Sequence, residues 1–431
     1  MGSTMLTRQS VLRILRWTLF LAVTAVVSGC TLVPMAPSHK SQSAPYAGSP
    51  PRRPLFYVAR PYAIDTVWRL PWPAPHEHQY PYPGALSGHN LGLMSLAAIH
   101  GAGPQWTWIV PLGGPLWGAG SHSEPIAIAA RIASATPVSR TVLTAGAFTR
   151  NGTSVLLTVH GDTDTVRTIP WPVPVPKVLG EQGLGAASGV AATLTGHVWV
   201  AGGTVVEAPT PASGGGMWGP LVHPILAEVT PAGHLIRQVT LSQLVVSAVT
   251  GLTQGGDGTL WFGINNGRYD NADLVYDGHS SLVHWNPKTG RLAVYPLPGD
   301  VGQGVVLDQI VQRGSTIWTS LQGSGNATNS GRQDFLLRFN TITNTWLSPY
   351  TVPGLGTIYA WTIAPDAAVV AIVEPEHSTA TVSLLELNSR IVARSQRGAW
   401  IDGVGARGSH VFVLVAGTST ASTRLIEITA K

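Results

Sequence analysis

One stretch of the chain, residues 247–299, constrains the fold strongly because it contains four short β-rich runs separated by turn residues. The runs are SAVTGLT, TLWFGI, SLVHW and RLAVYPL. The turn GGDG separates the first two runs, and NPKTG separates the last two. Runs of five to seven residues rich in β-branched and aromatic side chains, bounded by Gly, Pro and Asn, indicate antiparallel strands joined by hairpins. The stretch therefore predicts one four-stranded antiparallel sheet.

The same unit recurs along the chain, and its second run can be aligned on one apolar or aromatic position. The aligned residues are Trp68, Leu143, Trp199, Trp261, Trp318, Val370 and Phe412. Their spacing varies from 42 residues (412 − 370) to 75 residues (143 − 68). A quasi-period in this range, with an aromatic residue and a Gly turn at fixed places, is typical of a β-propeller. We therefore expect an all-β chain, folded as a seven-bladed β-propeller of four-stranded antiparallel blades. The expected blades are 55–114, 115–173, 185–241, 247–299, 304–354, 357–397 and 399–431.

The sequence leaves the closure of this ring open. The last blade shows three runs, AWIDGVGA, HVFVLVA and RLIEIT, so it lacks an outer strand. The run LFYVAR (55–60) would supply that strand, or it would be the inner strand of blade 1. The alignment of Trp68 as the end of a second strand favours the latter, whereas closure of the ring favours the former.

The charge balance argues against a nucleic-acid partner. Charged residues make up 11% of the chain, and the formal net charge is +5. Arg8, Arg13 and Arg16 lie in an acid-free leader, so the remainder has 23 basic residues (26 − 3) against 21 acidic ones. No basic run is present, and a near-neutral surface gives nucleic acid no electrostatic attraction.

The N-terminus predicts a targeting signal. A basic segment precedes the apolar run 17–27, which is too short to span a bilayer but suits a signal peptide. Val27-Ser28-Gly29-Cys30 resembles the bacterial lipobox, and Cys30 is the only cysteine of the chain. We predict a lipoprotein signal peptide over 1–29, lipidation of Cys30, a Pro/Ser-rich tether over 30–54 and a propeller domain over 55–431. The protein would then lie on the extracytoplasmic side of the cell membrane, held by its lipid. An ordinary signal peptide or anchor with an incidental cysteine is the alternative.

The repeat also resembles a known family. The pattern D-G-x-L-W-F, a polar loop, and then N-P-x-T-G-x-x-x-x-Y-P-L-P resembles the repeats of streptogramin (virginiamycin B) lyase-like and NHL-like propellers. The resemblance is clearest at 247–299 and covers most of 55–431. It implies the propeller fold and, as an alternative function, a lyase or hydrolase whose family uses a His, a Glu and a magnesium ion. No stretch here matches those catalytic residues one by one.

Four long connections follow the second strand of a blade, at 71–90, 202–224, 265–280 and 322–334. In an up-and-down blade these connections share a face with the links between blades, so all four should lie on one face. Long loops on a rigid scaffold commonly carry function, although sequence-tolerant loops are the plainer explanation. We predict a ligand-binding face there, with the candidate residues His76, His78, Tyr82, Trp218, Arg268, Tyr269, Asp270, Asp273 and His279.

Two groups within these loops have metal-ligand character. His76-Glu77-His78, with Tyr80, Tyr82 and His89 nearby, would suit a transition metal, and an exposed polar loop is the alternative. Asp270, Asn271, Asp273 and Asp277 offer oxygen donors for calcium or magnesium, without the spacing of a calcium-binding loop. We predict no obligatory cofactor and leave calcium or magnesium open. Arg268, Tyr269 and His279 would equally suit a sugar or a carboxylate.

The sequence thus predicts a membrane-anchored, monomeric propeller that binds a ligand or an envelope protein through its long-loop face. Whether it is an enzyme stays open. Trp199, Trp261 and Trp318 are expected to pack in the core between blades rather than to bind a ligand.

Overall fold

The computed structural model describes the chain from Phe56 to Ala430 with gaps. Its 431 residues divide into two units, Met1–Ala44 and Pro45–Lys431, and every described residue lies in the second unit. The described residues are 56–69, 81–84, 93–98, 106–109, 126–128, 131–139, 142–148, 153–160, 165–175, 189–211, 217–266, 269–270, 275–276, 279–299, 301, 305–323, 335–351, 357–362, 370–374, 383–386, 391–395, 399–407, 410–417 and 424–430.

The described strands form eight antiparallel sheets, of which sheets 1 and 2 use strands that follow each other along the chain. Sheet 1 consists of β3 (Pro81–Gly84), β4 (Leu93–Ala98), β5 (Trp106–Ile109) and β6 (Ile126–Ile128). Sheet 2 consists of β7 (Arg131–Pro137), β8 (Val142–Phe148), β9 (Ser154–His160) and β10 (Thr165–Pro170).

Sheets 3 to 5 have the same up-and-down order and contain the clearest repeats of the sequence. Sheet 3 consists of β11 (Val190–Ala192), β12 (Val198–Glu207), β15 (Leu221–Val229) and β16 (Leu235–Thr240). Sheet 4 consists of β17 (Ala248–Gln254), β18 (Leu260–Asn265), β21 (Ser280–Trp285) and β22 (Leu292–Pro296). Sheet 5 consists of β23 (Val305–Arg313), β24 (Thr316–Gly323), β25 (Phe335–Asn340) and β26 (Thr345–Thr351).

The last two large sheets each add a strand from the beginning of the described chain. Sheet 6 consists of β27 (Thr357–Thr362), β28 (Val370–Glu374), β29 (Ser383–Glu386) and β30 (Ile391–Ser395), with β1 (Phe56–Val58) as a fifth strand at the edge. Sheet 7 consists of β31 (Ala399–Arg407), β32 (His410–Gly417) and β33 (Arg424–Ala430), with β2 (Tyr62–Arg69) as its fourth strand.

The eighth sheet is small and is built from connections of sheets 3 and 4. It consists of β13 (Thr210–Pro211), β14 (Met217–Trp218), β19 (Tyr269–Asp270) and β20 (Val275–Tyr276). We call it the loop sheet.

Burial follows the position of each strand in its sheet. Every residue of β18 is buried, whereas the outer strand β16 is exposed along nearly its whole length. Inner strands are covered on both faces and read as continuous apolar runs, while outer strands meet water. The turns between strands are tight where predicted: Gly258 in GGDG has φ 81° and Gly290 in NPKTG has φ 72°, a region that favours glycine.

The apolar core lies between successive sheets. One cluster joins Leu156 of sheet 2 to Val200 and Ile225 of sheet 3. Another contains Trp199 of sheet 3 with Phe262 and Trp285 of sheet 4, and a third contains Trp261 of sheet 4 with Leu307 and Phe339 of sheet 5. Trp318 is also buried. The expectation that these three aligned tryptophans belong to the core is confirmed.

Among the described strands, four pairs of successive sheets contact each other through their first strands. β7 contacts β11, β11 contacts β17, β17 contacts β23, and β27 contacts β31. In addition, β3 of sheet 1 contacts β31 of sheet 7, so the first and last of these sheets are neighbours.

The prediction of an all-β chain with four-stranded antiparallel sheets is confirmed, and the strands expected in 247–299 and in 399–431 are present. The placement of Trp68 on a second strand is wrong, because β2 pairs with β33 and is the outer strand of sheet 7. The fourth strand of sheet 7 is therefore 62–69, and the run 55–60 supplies β1 of sheet 6 instead. The expected bounds 55–114 of the first blade are also wrong, because sheet 1 runs from β3 to β6 and has β4 and β5 as its second and third strands. A repeated motif shows which runs are strands, but it does not show where in a sheet the first strand belongs.

Among the residues described, no helix is long and apolar enough to span a bilayer.

Candidate binding face

The up-and-down order gives each large sheet two ends with different connections. We call the end where the second strand passes to the third, and where the fourth passes to the next sheet, the loop face. The opposite end is the turn face. At sheet 3 the two kinds of loop-face connection touch: the N–H of Val222 donates to the carbonyl of Val246 at 2.8 Å, and the reverse bond is 3.0 Å long. At sheet 3 the long loop and the link to the next sheet therefore lie on one face.

The loop sheet joins two of the four long connections. Thr210 pairs with Trp218 inside the connection of sheet 3, and Tyr269 pairs with Tyr276 inside that of sheet 4. Trp218 also pairs with Asp270, which links the two connections into one sheet. Unrelated, sequence-tolerant loops have no reason to share backbone hydrogen bonds. This surface is therefore a built part of the loop face.

A buried polar network lies at the base of the loop sheet. The side chain of Asn265, at the end of β18, is fully buried; its Nδ2 donates to Oγ of Ser280 at 3.3 Å, and its Oδ1 accepts from Oγ of Ser247 at 3.2 Å. Beyond it, the N–H of Asn266 donates to the carbonyl of His279 at 3.2 Å. The connection that carries β19 and β20 thus leaves and re-enters sheet 4 at hydrogen-bonded positions.

The structure brings three of the predicted site residues together. Trp218, Tyr269 and Asp270 all lie in the loop sheet, with positions 218 and 270 directly opposite each other. His279 is exposed at the return of the same connection. The predicted connection 71–90 does not follow a second strand, because β2 is the fourth strand of sheet 7 and residues 81–84 form β3, the first strand of sheet 1. Tyr82 therefore lies in a strand, paired with Ala97, and not in a loop as predicted.

The remaining predicted residues lie outside the described part of the chain. These are Cys30, His76, Glu77, His78, Tyr80, His89, Arg268, Asn271, Asp273 and Asp277. Among the residues that the structure describes, no group of three or more His, Cys, Asp or Glu side chains could hold a metal ion. The metal sites suggested for 76–89 and 270–277 stay predictions.

The loop face of sheet 3 also carries apolar side chains in solvent. Val205 and Val206, at the end of β12, are 49% and 50% exposed, and Val245, in the link to sheet 4, is 43% exposed. Val205 pairs with Val222, which bridges to Val246. All three exposed valines therefore lie at the loop-face end of sheet 3. We call Val205, Val206 and Val245 the valine patch.

The turn face of sheet 3 carries an ion-pair cluster that the sequence reading missed. Oε2 of the buried Glu228 accepts from Nε of Arg237 at 2.7 Å, and its Oε1 lies 3.1 Å from Nδ1 of His197. The Arg237 guanidinium lies 4.7 Å from the ring centroid of Trp199. Each charge has a partner, so the cluster is a packed feature of the sheet.

The turn face of sheet 4 carries a histidine at the corresponding place. The His284 ring stacks on Trp261 with centroids 4.1 Å apart, and its buried Nε2 meets no hydrogen-bond partner among the described residues. Burial lowers the pKa of His284, while the nearby Asp257 carboxylate acts in the opposite direction. Burial alone would raise the pKa of Asp257, but hydrogen bonds from the Thr259 hydroxyl and N–H hold that pKa below its usual value.

One sequence signal would have found both clusters. Glu228 and His284 are the cross-strand partners of the aligned Trp199 and Trp261, and Arg338 holds the same position opposite Trp318. Aligning the third strands as well as the second would have placed these three ionisable residues at one site of the repeat.

No family model matches the chain, and no curated protein matches it in sequence. In fold it is similar to the Pan2 WD40 domain of Neurospora crassa, with 11% identity and a TM-score of 0.48, over 86% of this chain and 95% of that one. It is also similar to TolB from Acinetobacter baumannii, with 10% identity and a TM-score of 0.37, over 68% of this chain and 64% of that one. An acylaminoacyl peptidase of Pyrococcus horikoshii shares 13% identity at a TM-score of 0.45, over 78% of this chain and 49% of that one. At these TM-scores and identities the likenesses carry no argument about function.

Proposed function

We propose that this protein is a lipid-anchored, extracytoplasmic, seven-bladed β-propeller that binds a ligand or an envelope protein through its loop face. Sheets 1 to 7 are its blades. The contact between β3 and β31, together with the pairing of β2 with β33, supports a ring closed by the N-terminal segment.

The observation that carries the binding role is the loop sheet. Two connections that need only link neighbouring strands instead form a shared antiparallel sheet outside their blades. Ordering these residues costs conformational entropy, which the fold of the blades does not require. The result is a preformed surface that holds Trp218, Tyr269 and Asp270 on a rigid scaffold, where binding residues commonly lie.

A photoreactive residue at position 243, exposed in the link between sheets 3 and 4, tests this role in intact cells. We expect it to capture a specific envelope component. A variant with Trp218, Arg268 and Tyr269 changed to Ala should abolish capture, since aromatic and Arg anchors contribute roughly 2 kcal/mol each, or about thirtyfold in Kd. Its melting temperature should stay unchanged. The matched control replaces Lys288, Thr289 and Arg291 of the turn face, and it should keep the capture.

Capture from position 288 but not from position 243 would place the working face on the other side of the molecule.

The anchor has its own test. If Cys30 is lipidated, Cys30→Ser should block processing after Gly29 and move the protein out of the detergent phase. Normal partitioning of this variant would end the lipoprotein proposal without touching the binding role.

A further inference from the structure

The direction of β1 shows on which side the tether joins the described domain. Phe56 pairs with Ser395 and Val58 with Ala393, antiparallel to β30. β30 is the fourth strand of sheet 6, so its last residue, Ser395, lies at the loop face. The described chain therefore begins at the loop face of sheet 6.

The entry point is fixed to two sheets. After β1 the N–H of Ala59 donates to the carbonyl of Val392 at 2.8 Å, and the N–H of Tyr62 donates to the carbonyl of Ala59 at 2.9 Å. The Tyr62 hydroxyl contacts the carboxylate of Glu386 in sheet 6, while β2 continues along sheet 7. These bonds fix the turn-face end of β1 to sheets 6 and 7, and the pairing of Phe56 with Ser395 fixes its other end at the rim of the loop face.

The tether is short and carries no negative charge. It has 25 residues (55 − 30), among them Lys40, Arg52 and Arg53 and no acid. At about 3.1 Å per residue, 25 Pro-rich residues reach roughly 80 Å when extended, so a lipid at Cys30 would keep the domain beside the bilayer. Basic residues in such a tether are attracted to anionic lipid.

The valine patch lies on the same face but in sheet 3, three sheets away along the chain. Among the described side chains of 204–211 and 242–247, Glu207 is the one ionisable group. A segment with a single ionisable group and several exposed apolar side chains enters the lipid interface more readily than a strongly charged one. A second contact far from the tether would hold the face flat, because one tether alone allows the domain to tilt.

We propose that the loop face lies against the bilayer, with the valine patch in contact with the lipid interface. This inference rests on the proposed anchor and ring. It makes the turn face the side that points away from the membrane, and it limits partners of the loop sheet to molecules at the bilayer surface.

Lipidation consumes the thiol of Cys30, so one introduced cysteine is the only free thiol of the mature protein. Ser242→Cys marks the loop face and Thr289→Cys the turn face, and both positions are exposed. A six-residue strand separates the two faces by about 20 Å. Each purified, lipidated variant carries a donor dye and is placed on phosphatidylethanolamine/phosphatidylglycerol vesicles with an acceptor lipid. We expect higher energy transfer from position 242 than from position 289.

Changing Val205, Val206 and Val245 to Ser should abolish this difference while the protein still sediments with vesicles. The matched control changes Leu194, Val294 and Ile342, three apolar residues exposed elsewhere, and should preserve the difference. Circular dichroism and melting curves verify that both variants fold. Equal transfer from the two positions in the parent protein, or more transfer from 289, overturns this inference alone. Failure of the parent to sediment with vesicles overturns it together with the proposed anchor.

Discussion

Sheets 3 and 4 place a tryptophan at the same position and surround it in opposite ways. In sheet 3 the residue opposite Trp199 is Glu228, which is neutralised by Arg237 on the next strand. In sheet 4 the residue opposite Trp261 is His284, and its neighbour on the next strand is Ala293. Both tryptophans have a basic group over the ring, Arg237 in one sheet and a stacked imidazole in the other.

The two solutions differ in how the polar group is compensated. The carboxylate of Glu228 is buried with two partners, and the 41% exposure of the Arg237 side chain lets that charge keep contact with water. His284 has a buried nitrogen without a partner among the described residues, so only the neutral ring suits its place. In both sheets a flat, nitrogen-containing group therefore covers the tryptophan ring, a guanidinium in sheet 3 and an imidazole in sheet 4.

A second difference concerns the space between the first two strands. In sheet 3 Gly189 faces Ala201, and a Cβ on Gly189 would lie 2.8 Å from Cβ of Ala201. In sheet 4 the order is reversed: Thr250 is on the first strand and Gly263 on the second. A Cβ on Gly263 would lie 2.6 Å from Oγ1 of Thr250 and 2.8 Å from Cβ of Leu307 in sheet 5. Each pair has room for one side chain.

The largest effect is expected where a buried charge loses its partner. Arg237→Ala leaves Glu228 buried with His197 as its remaining side-chain partner. Removing one member of a buried pair costs about 3–5 kcal/mol, and solvent access to Arg237 places this variant near 3 kcal/mol. Chemical denaturation measures the loss. Arg291→Ala, on the exposed turn of sheet 4, is the control and should stay within about 0.5 kcal/mol of the parent. Equal losses in the two variants would show that the Glu228 pair adds nothing to stability.

A smaller effect is expected from the space between strands. Gly263→Ala should cost about 2 kcal/mol, because its methyl group must displace Leu307, a core residue, as well as Thr250. Adding Thr250→Gly should recover part of the loss and leave the part due to Leu307. Full recovery in the double variant would show that Leu307 moves freely, and that the contact between sheets 4 and 5 is looser than its geometry indicates.

The sequence predicted the strands well because they have a local signal. The turns at 255–258 and 286–290 contain the glycines that their dihedral angles favour, and the apolar runs between them are buried. The pairing of β2 with β33 joins residues from the two ends of the described chain, and no local pattern encodes it. Repeat alignment assigned that strand to the wrong sheet for this reason.

Part of the candidate face was also predictable from the sequence. In an up-and-down sheet, the number of strands alone decides at which end each connection lies. Counting strands therefore placed the long connections of sheets 3 and 4 on one face. The pairing of Trp218 with Asp270 was not predictable, since β14 and β19 are two residues long and have no run to recognise. The polar clusters beside Trp199 and Trp261 could not be predicted from one strand, because their residues lie on the neighbouring strand. Aligning the second and third strands of each repeat together would have shown which residues are opposite each tryptophan.

The smallest effect is a pH dependence that separates the two sheets. Burial holds the pKa of His284 in the folded protein below its ordinary value of 6.5, so the unfolded chain binds more protons as the pH falls through that value. The contribution of His284 to stability is therefore complete above pH 6.5 and declines as the pH falls toward the folded-state pKa. His284→Phe keeps a ring against Trp261 and has no proton to bind, so it should remove this decline. Unfolding free energies of the parent and the variant, measured from about pH 8 to pH 5, should run in parallel above 6.5 and converge or cross below it. A constant difference over the whole range would mean that protonated His284 is accommodated in the folded sheet, as the exposed Arg237 is over Trp199 in sheet 3.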